Sequence, residues 1–311
     1  MGDTPTRLLI VDDSALYRQT IRNVLHDAES VEIVGVARNG VEALERIEAL
    51  DPDVLTLDVQ MPDMDGIGVL REINQRRLRP KAIMVSSHTS EGAKVTTDAL
   101  LEGAFDFILK PSGRDSEANR TQLRDSLVEK LQAVRQMVHR AGRRPRVGAT
   151  PPEDDRTSTL GSADPAEGAL GSSAGAASAA FCDAVVIGTS TGGPAAQKVV
   201  LPALPASLAV PVYFVQHMPA QYTLTLARRL NDLCGLEVVE ASNGQTPKAG
   251  VIYLAPGGRQ MKVSPRKDAH LIRVTDDPHE NGCRPSVDYL LRSVSASYDG
   301  RALAVILTGM G

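Results

Sequence analysis

Short apolar runs alternate with amphipathic stretches from Thr6 to about Gly142. RLLIV, VEIVGVA, VLTLD, AIMVSS and FDFILK are short and aliphatic, which predicts five strands. Between them SALYRQTIRNVL, GVEALERIEAL, GIGVLREINQ and KVTTDALLEG read as helices. A fifth helix around TQLRDSLVEKLQAVRQMV places Leu123, Leu127, Leu131, Val134 and Val138 on one face. Such alternation predicts a doubly wound α/β domain, a parallel sheet with helices on both faces. From about residue 143 to 182 the pattern stops. Pro, Gly, Ser and Ala dominate there with almost no large apolar residue, so no core can form and a flexible linker is expected. At Asp183 the βα pattern resumes through AVVIGTS, PAAQKVVLPAL, VPVYFVQH, YTLTLARRL, LEVVEAS, GVIYLA, HLIRVT, SVDYLLRSVSASY and ALAVILTGMG. The expected organisation is a first domain over 6–125, its last helix reaching about 141, then a linker over 143–182 and a second α/β domain over 183–311.

The bulk numbers narrow the function classes. A length of 311 residues suits about two domains, and 42% hydrophobic with 23% charged residues is a soluble composition. A net charge of −4 and the absence of Trp argue against a duplex-DNA or base-stacking protein. Cys182, Cys234 and Cys283 stand far apart, which fits a reducing compartment and offers no metal motif. No apolar run is long enough to span a bilayer, and the N-terminus lacks a signal-peptide pattern. Met1 to Thr6 matches the loose N-myristoylation pattern with nothing nearby to support an anchor, so a cytoplasmic protein is expected.

The candidate chemistry of the first half sits at strand ends. Asp12 and Asp13 follow RLLIV, Asp58 ends VLTLD, Ser86 follows AIMV and Lys110 ends FILK. Carboxyl ends of neighbouring parallel strands converge on one crevice. Three carboxylates there call for a cation, and oxygen-only ligands in an open cleft favour Mg²⁺. Asp58 could then act as a nucleophile toward a phosphoryl group, with Lys110 as a fixed positive charge. Taken singly, each residue has an ordinary use, and Asp13 or Ser14 could simply cap the next helix.

In the second half AVVIG-T-S-T-GG sets Ser190 in a G-x-S-x-G strand-to-helix turn, with small neighbours and a helix N-terminus beyond. A serine hydroxyl needs a base, and His217 ends the apolar run VPVYFVQH. His26, His88, His139, His270 and His279 show no comparable pairing. A Gly/Ser/Thr-rich turn could equally cradle a phosphate, although GTSTGG is neither G-x-G-x-x-G nor a Walker loop.

VDDSALYR, LTLDVQMPDMDG, MVSS and FDFILKP resemble the response-regulator receiver signature over about residues 6 to 125. The resemblance implies Asp58 as phosphoacceptor, and Asp12, Asp13, Asp58 and the Gln60 carbonyl around Mg²⁺. It also implies Ser86 and Phe107 as a hydroxyl and aromatic switch, with Lys110 on the phosphate. IGTSTGGP, VQHMP, NGCRPSVDYLLRSV and ILTGMG resemble the effector domain of the chemotaxis protein-glutamate methylesterase family from about Ala184 onward. That family hydrolyses glutamate methyl esters on chemoreceptors and deamidates particular receptor glutamines. The resemblance implies Ser190 as nucleophile, His217 as general base, and Thr191 and Met310 in the active-site set. The family's third triad member is an aspartate shortly after the TGMG turn, so it is expected beyond Gly311, with the effector domain C-terminally incomplete in this sequence.

The implied partners are chemoreceptor helices bearing methylglutamate and a histidine kinase as phosphodonor, with no nucleic acid, no membrane insertion and a monomeric state. A DNA-binding output domain would show a basic helix-turn-helix after the linker, and residues 184 to 311 show repeated strands instead. A nucleotide-binding output is the other rival. A linker that cannot fix geometry leaves control to a docked interface, in which the unphosphorylated receiver is expected to cover the Ser190 crevice.

Overall fold

The computed structural model describes residues 4–87, 89–113, 115–142, 182–267 and 269–308. Its first unit runs β1 (Thr6–Val11), α1 (Ala15–Val24), β2 (Val31–Ala37), α2 (Gly40–Leu50), β3 (Val54–Asp58), α3 (Gly66–Gln75), β4 (Lys81–Ser86), α4 (Ser90–Glu102), β5 (Asp106–Leu109) and α5 (Ser116–Gly142). The five strands form a parallel sheet of order β2-β1-β3-β4-β5. Central strands β1 and β3 are buried along almost their whole length, which is why their sequences are dominated by aliphatic residues, with Thr56 the buried polar exception within β3. One layer of core lies under α1 and α5, where Leu8, Ile10 and Ile21 meet Leu123, Leu127, Leu131 and Val134. The order reverses between β1 and β3, so the crevice at their carboxyl ends is a topological switch point.

The second unit runs β6 (Ala184–Thr189), α6 (Gly193–Val200), β7 (Val212–Gln216), α7 (Ala220–Asn231), β8 (Glu237–Glu240), β9 (Val251–Leu254), β10 (Gln260–Arg266), β11 (Ala269–Thr275), α8 (Val287–Ser297) and β12 (Ala302–Thr308). Its main sheet is again parallel, of order β12-β6-β7-β9-β8. The doubly wound α/β class therefore holds for both units. One departure from the sequence pattern is that HLIRVT does not join this sheet. It pairs antiparallel with β10, a strand absent from the apolar pattern, in a separate two-stranded ribbon. The connection between β10 and β11 is too short for the crossover that a parallel pair requires. The ribbon buries Met261, Val263, Ile272 and Val274 against Leu290 and Val294 of α8.

Helix starts follow local side chains. Ser14, Asn39, Asp65, Thr89 and Ser286 each accept a backbone N–H of the first turn of α1, α2, α3, α4 and α8. Helix α6 lacks such a cap. Its cap position is Gly192, whose φ of 76° is left-handed, and no side chain caps its first N–H groups.

The two units share apolar packing. Leu100, Leu101 and Phe107 of the first belong to the same buried cluster as Tyr222, Leu226 and Leu230 of the second. Helix α4 lies against α6 and α7. No helix among the described residues is long and apolar enough to cross a membrane. The stretch read as a linker lies outside the described residues apart from Cys182.

Candidate functional site

Two sites are built at strand ends. In the first unit Asp12 follows β1 and is fully buried, and Asp58 ends β3 and is 7% exposed. Lys110, just after β5, places Nζ 2.9 Å from an oxygen of each. Asp13 is exposed at the mouth, and ligand oxygens of Asp12, Asp13 and Asp58 lie within 4.8 Å of one another. Asp13 is not the helix cap. That role falls to Ser14, whose own N–H donates to Asp12 Oδ1 at 2.8 Å. Burial pushes the Asp58 carboxyl up and the Asp12 charge adds to this, with the Lys110 ammonium opposing. One lysine thus leaves two buried carboxylates incompletely neutralised, and the all-oxygen donor set suits a hard divalent cation. A small cavity opens from Asp58 past Gln60, Ser86, Ser87 and Gly92.

The Ser86 hydroxyl accepts from Thr96 Oγ1 at 2.6 Å. Phe107 stands apart from this cavity. Its ring lies 4.6 Å from that of Tyr222 on α7. Tyr222 is wholly buried, and its hydroxyl faces the Ser86 and Thr96 hydroxyls without a well-formed hydrogen bond. Beside it Arg229 pairs with Asp98 of α4 at 2.7 Å. Phe105 packs against the second site directly, since a Cβ placed on Gly192 would stand 3.4 Å from its ring.

In the second unit, parallel pairing sets Thr189 of β6 opposite Gln216 of β7, so the next residues, Ser190 and His217, emerge together. Ser190 Oγ and His217 Nδ1 are 3.2 Å apart. Ser190 is held from below by its N–H to Thr308 O at 2.9 Å, and its carbonyl accepts from Gly193 N–H at 2.8 Å. Thr191 is buried, and its N–H finds no acceptor among the described residues. Together with the uncapped start of α6 this leaves backbone N–H groups beside the hydroxyl that could meet a negative oxygen. Met310 lies outside the described residues.

Some neighbours of the pair come from the NGCRPSVDYLLRSV stretch, which the sequence reading used for the resemblance without assigning any of its residues to the site. Cys283 Sγ is 3.5 Å from His217 Nδ1, and Glu280, Asn281, Ser286 and Asp288 line the same cavity of about 320 Å³. NGCRPSVD supplies most of them, and its position between the β10–β11 ribbon and α8 is what carries it over Ser190. His217 Nε2 is buried without a partner, and no carboxylate bonds to the ring among the described residues. Burial holds the imidazole below its ordinary value, partly offset by the negative charges of Glu129 on α5 and Asp288. Glu129 belongs to the first unit, so that unit reaches the second site electrostatically as well as through Phe105.

An acidic crevice in one α/β unit and a serine–histidine pair in the other define the class, a receiver coupled to a hydrolase. Comparison with known proteins narrows it. The family model described as "Response regulator receiver domain" matches residues 8–122, and "CheB methylesterase" matches 185–311. The protein-glutamate methylesterase/protein-glutamine glutaminase of Desulfotalea psychrophila is 43% identical over 307 residues, covering 98% of this chain and 82% of the relative. That of Bacillus subtilis is 42% identical over 311 residues with the same coverages. Among solved structures, the Thermotoga maritima CheB methylesterase catalytic domain matches with TM-score 0.41 and 38% identity over 42% of this chain and 69% of that one. The chain belongs to the protein-glutamate methylesterase/protein-glutamine glutaminase family.

To act as a general base toward Ser190, as the family resemblance implies, His217 must be neutral, and its lowered pKa keeps it so to lower pH. The acid limb of kcat/KM for ester hydrolysis is therefore expected to fall at a midpoint below the ordinary histidine value of about 6.5. Glu129→Gln removes a charge that raises it, so the midpoint should move further down. A limb at or above the ordinary value, or an upward move in the variant, would contradict this electrostatic picture.

Proposed function

We propose that this chain is a phosphorylation-activated protein-glutamate methylesterase and protein-glutamine deamidase of chemotaxis signalling, acting by a serine-hydrolase mechanism on chemoreceptor helices. The observation that carries the reading is the 3.2 Å approach of Ser190 Oγ to His217 Nδ1 at adjoining strand ends, in a chain of this family. Ser190 Oγ attacks the γ-carbonyl carbon while His217 Nδ1 takes its proton. The Thr191 N–H and the start of α6 hold the oxygen that becomes negative. His217 then returns the proton to the leaving group, methanol from an ester or ammonia from an amide. Water, activated by the same imidazole, releases the glutamate and frees the serine.

The phosphoacceptor in this reading is Asp58, with a histidine kinase as donor. Asp12, Asp13, Asp58 and the Gln60 carbonyl would hold Mg²⁺, which when bound supplies charge neutralisation for the incoming phosphoryl group. Lys110 keeps the two buried carboxylates in place before that happens. We read residues 6–125 as the receiver, 143–182 as the connecting stretch and 183–311 as the catalytic part.

Control runs through the shared face. Phe105 lies against Gly192 and α4 against α6 and α7, so the receiver abuts the turn that carries Ser190, while every described residue lining the Ser190 cavity comes from the second unit. Restraint in this reading acts on the turn and not by covering the crevice. Tyr222 seats its ring on Phe107 and its hydroxyl beside Ser86, the two receiver residues assigned to the switch. A Ser86 drawn toward a phosphoryl group on Asp58 leaves Thr96 and unsettles that seat.

Ser190→Ala should lower methanol release from a methylated receptor by about 10³-fold or more while leaving phosphorylation intact. Retained hydrolysis would sink the serine mechanism. Intact mass after incubation with Mg²⁺ and a small phosphodonor should show one added phosphoryl group, absent in Asp58→Asn. Equal labelling of the variant would move the acceptor elsewhere. The Arg229–Asp98 pair is half-exposed and worth about 0–1 kcal/mol. Arg229→Gln should therefore raise unphosphorylated activity by about two- to fivefold, with the phosphorylated rate unchanged. Unaltered basal activity would argue that this contact does not restrain the enzyme.

A further inference from the structure

Gln216 is the last residue of β7 and is 3% exposed. Its Nε2 donates to the carbonyl of Ser190 and to that of His217, each at 3.1 Å. Its Oε1 accepts from Thr189 Oγ1 at 2.7 Å and from Nε2 of Gln197, a residue with no exposed surface. Both donors and the acceptor oxygen are thus satisfied, and only this amide orientation achieves it, since the flipped one would set Oε1 against two carbonyl oxygens. Among the described residues no other side chain bonds to both members of the pair.

We propose that Gln216 is a positioning residue for ester cleavage, holding the Ser190 and His217 peptide planes so that the nucleophile, its base and the oxyanion donor keep one geometry. The proposal rests on the serine-hydrolase reading. The physical link is the planarity of the peptide bond, whose C=O and N–H point in opposite directions. Fixing the Ser190 carbonyl on Gln216 turns the Thr191 N–H the other way, where it has no acceptor among the described residues. The Gly193 N–H also holds that carbonyl, but it belongs to the same turn and can swing with it. Gln216 belongs to the neighbouring strand and ties the turn to the sheet and to His217.

Close packing around the amide supports a dedicated role. A Cβ on Gly193 would stand 2.0 Å from Gln216 Oε1, so the helix opens with a residue that has no side chain to displace it. A buried amide is carried by its bonds, since an apolar side chain of like volume would fill the space without them.

The test uses the full-length protein, phosphorylated with a small phosphodonor, and a peptide carrying glutamate γ-methyl ester. Gln216→Met keeps the volume and removes both donors. It should lower kcat by about 10- to 100-fold with KM within twofold, in protein that is folded by thermal unfolding. Gln216→Glu, which turns a carboxylate oxygen toward the same carbonyls, should give the same split and serves if the methionine variant does not fold. Tyr213→Phe loses the Tyr213–Tyr298 hydrogen bond in the core on the other side of the sheet. It should lower stability and leave kcat unchanged, which separates positioning from mere destabilisation. Folded Gln216 variants with kcat within twofold of the parent, or a loss confined to KM, would overturn the proposal. If Ser190→Ala is inactive while Gln216→Met is fully active, positioning alone fails. If Ser190→Ala stays active, the serine mechanism fails with it.

Discussion

Two strands in a parallel ladder that end together deliver their next residues to the same place, and both candidate sites of this protein are arranged by that constraint. In the first unit β1, β3 and β5 bring Asp12, Asp58 and Lys110 within hydrogen-bond reach although the lysine is 98 and 52 positions away in sequence. In the second, the opposition of Thr189 and Gln216 does the same for Ser190 and His217. Each arrangement carries an electrostatic problem. Two buried carboxylates share one ammonium, and a buried imidazole has a ring nitrogen without a partner among the described residues. The fold supplies proximity, and the surrounding polar groups decide which charge states persist there.

The shared core between the units gives Phe107 a place in both. Phe107 is a receiver residue by sequence, yet its ring meets Tyr222. An aromatic pair of this kind adds about 0.5–1.5 kcal/mol beyond burial, and the half-exposed Arg229–Asp98 pair adds less. Contacts of that size are strong enough to bias a docked state and weak enough for a single phosphoryl group to compete with them.

Much of this was legible in the sequence because the strands that carry chemistry are buried on both faces. RLLIV, VLTLD, AVVIG and VPVYFV are dominated by aliphatic and aromatic residues, and the polar residues that follow or end each run mark the crevice. The β10 strand was not legible. QMKVSPR mixes polar, basic and proline positions, and its pairing is decided by the ribbon and by α8. Gln216 carries no signal of its own within VPVYFVQH, since no local pattern says that a glutamine has four partners. Cys283 and Asp288 lay in a stretch similar to the family, but their nearness to His217 depends on how that segment passes over β6. Glu129, Phe105 and Tyr222 act across the two units, and docking of one unit on another leaves no periodicity in either.

Because both partners of the α4–α7 contact belong to one polypeptide, its re-formation is an intramolecular event. The rate of return to the docked state is then first-order, set by the tether and the face, and independent of how many copies the cell contains. A cell could vary the abundance of such a protein without altering how quickly each molecule falls silent once its phosphoryl group is gone.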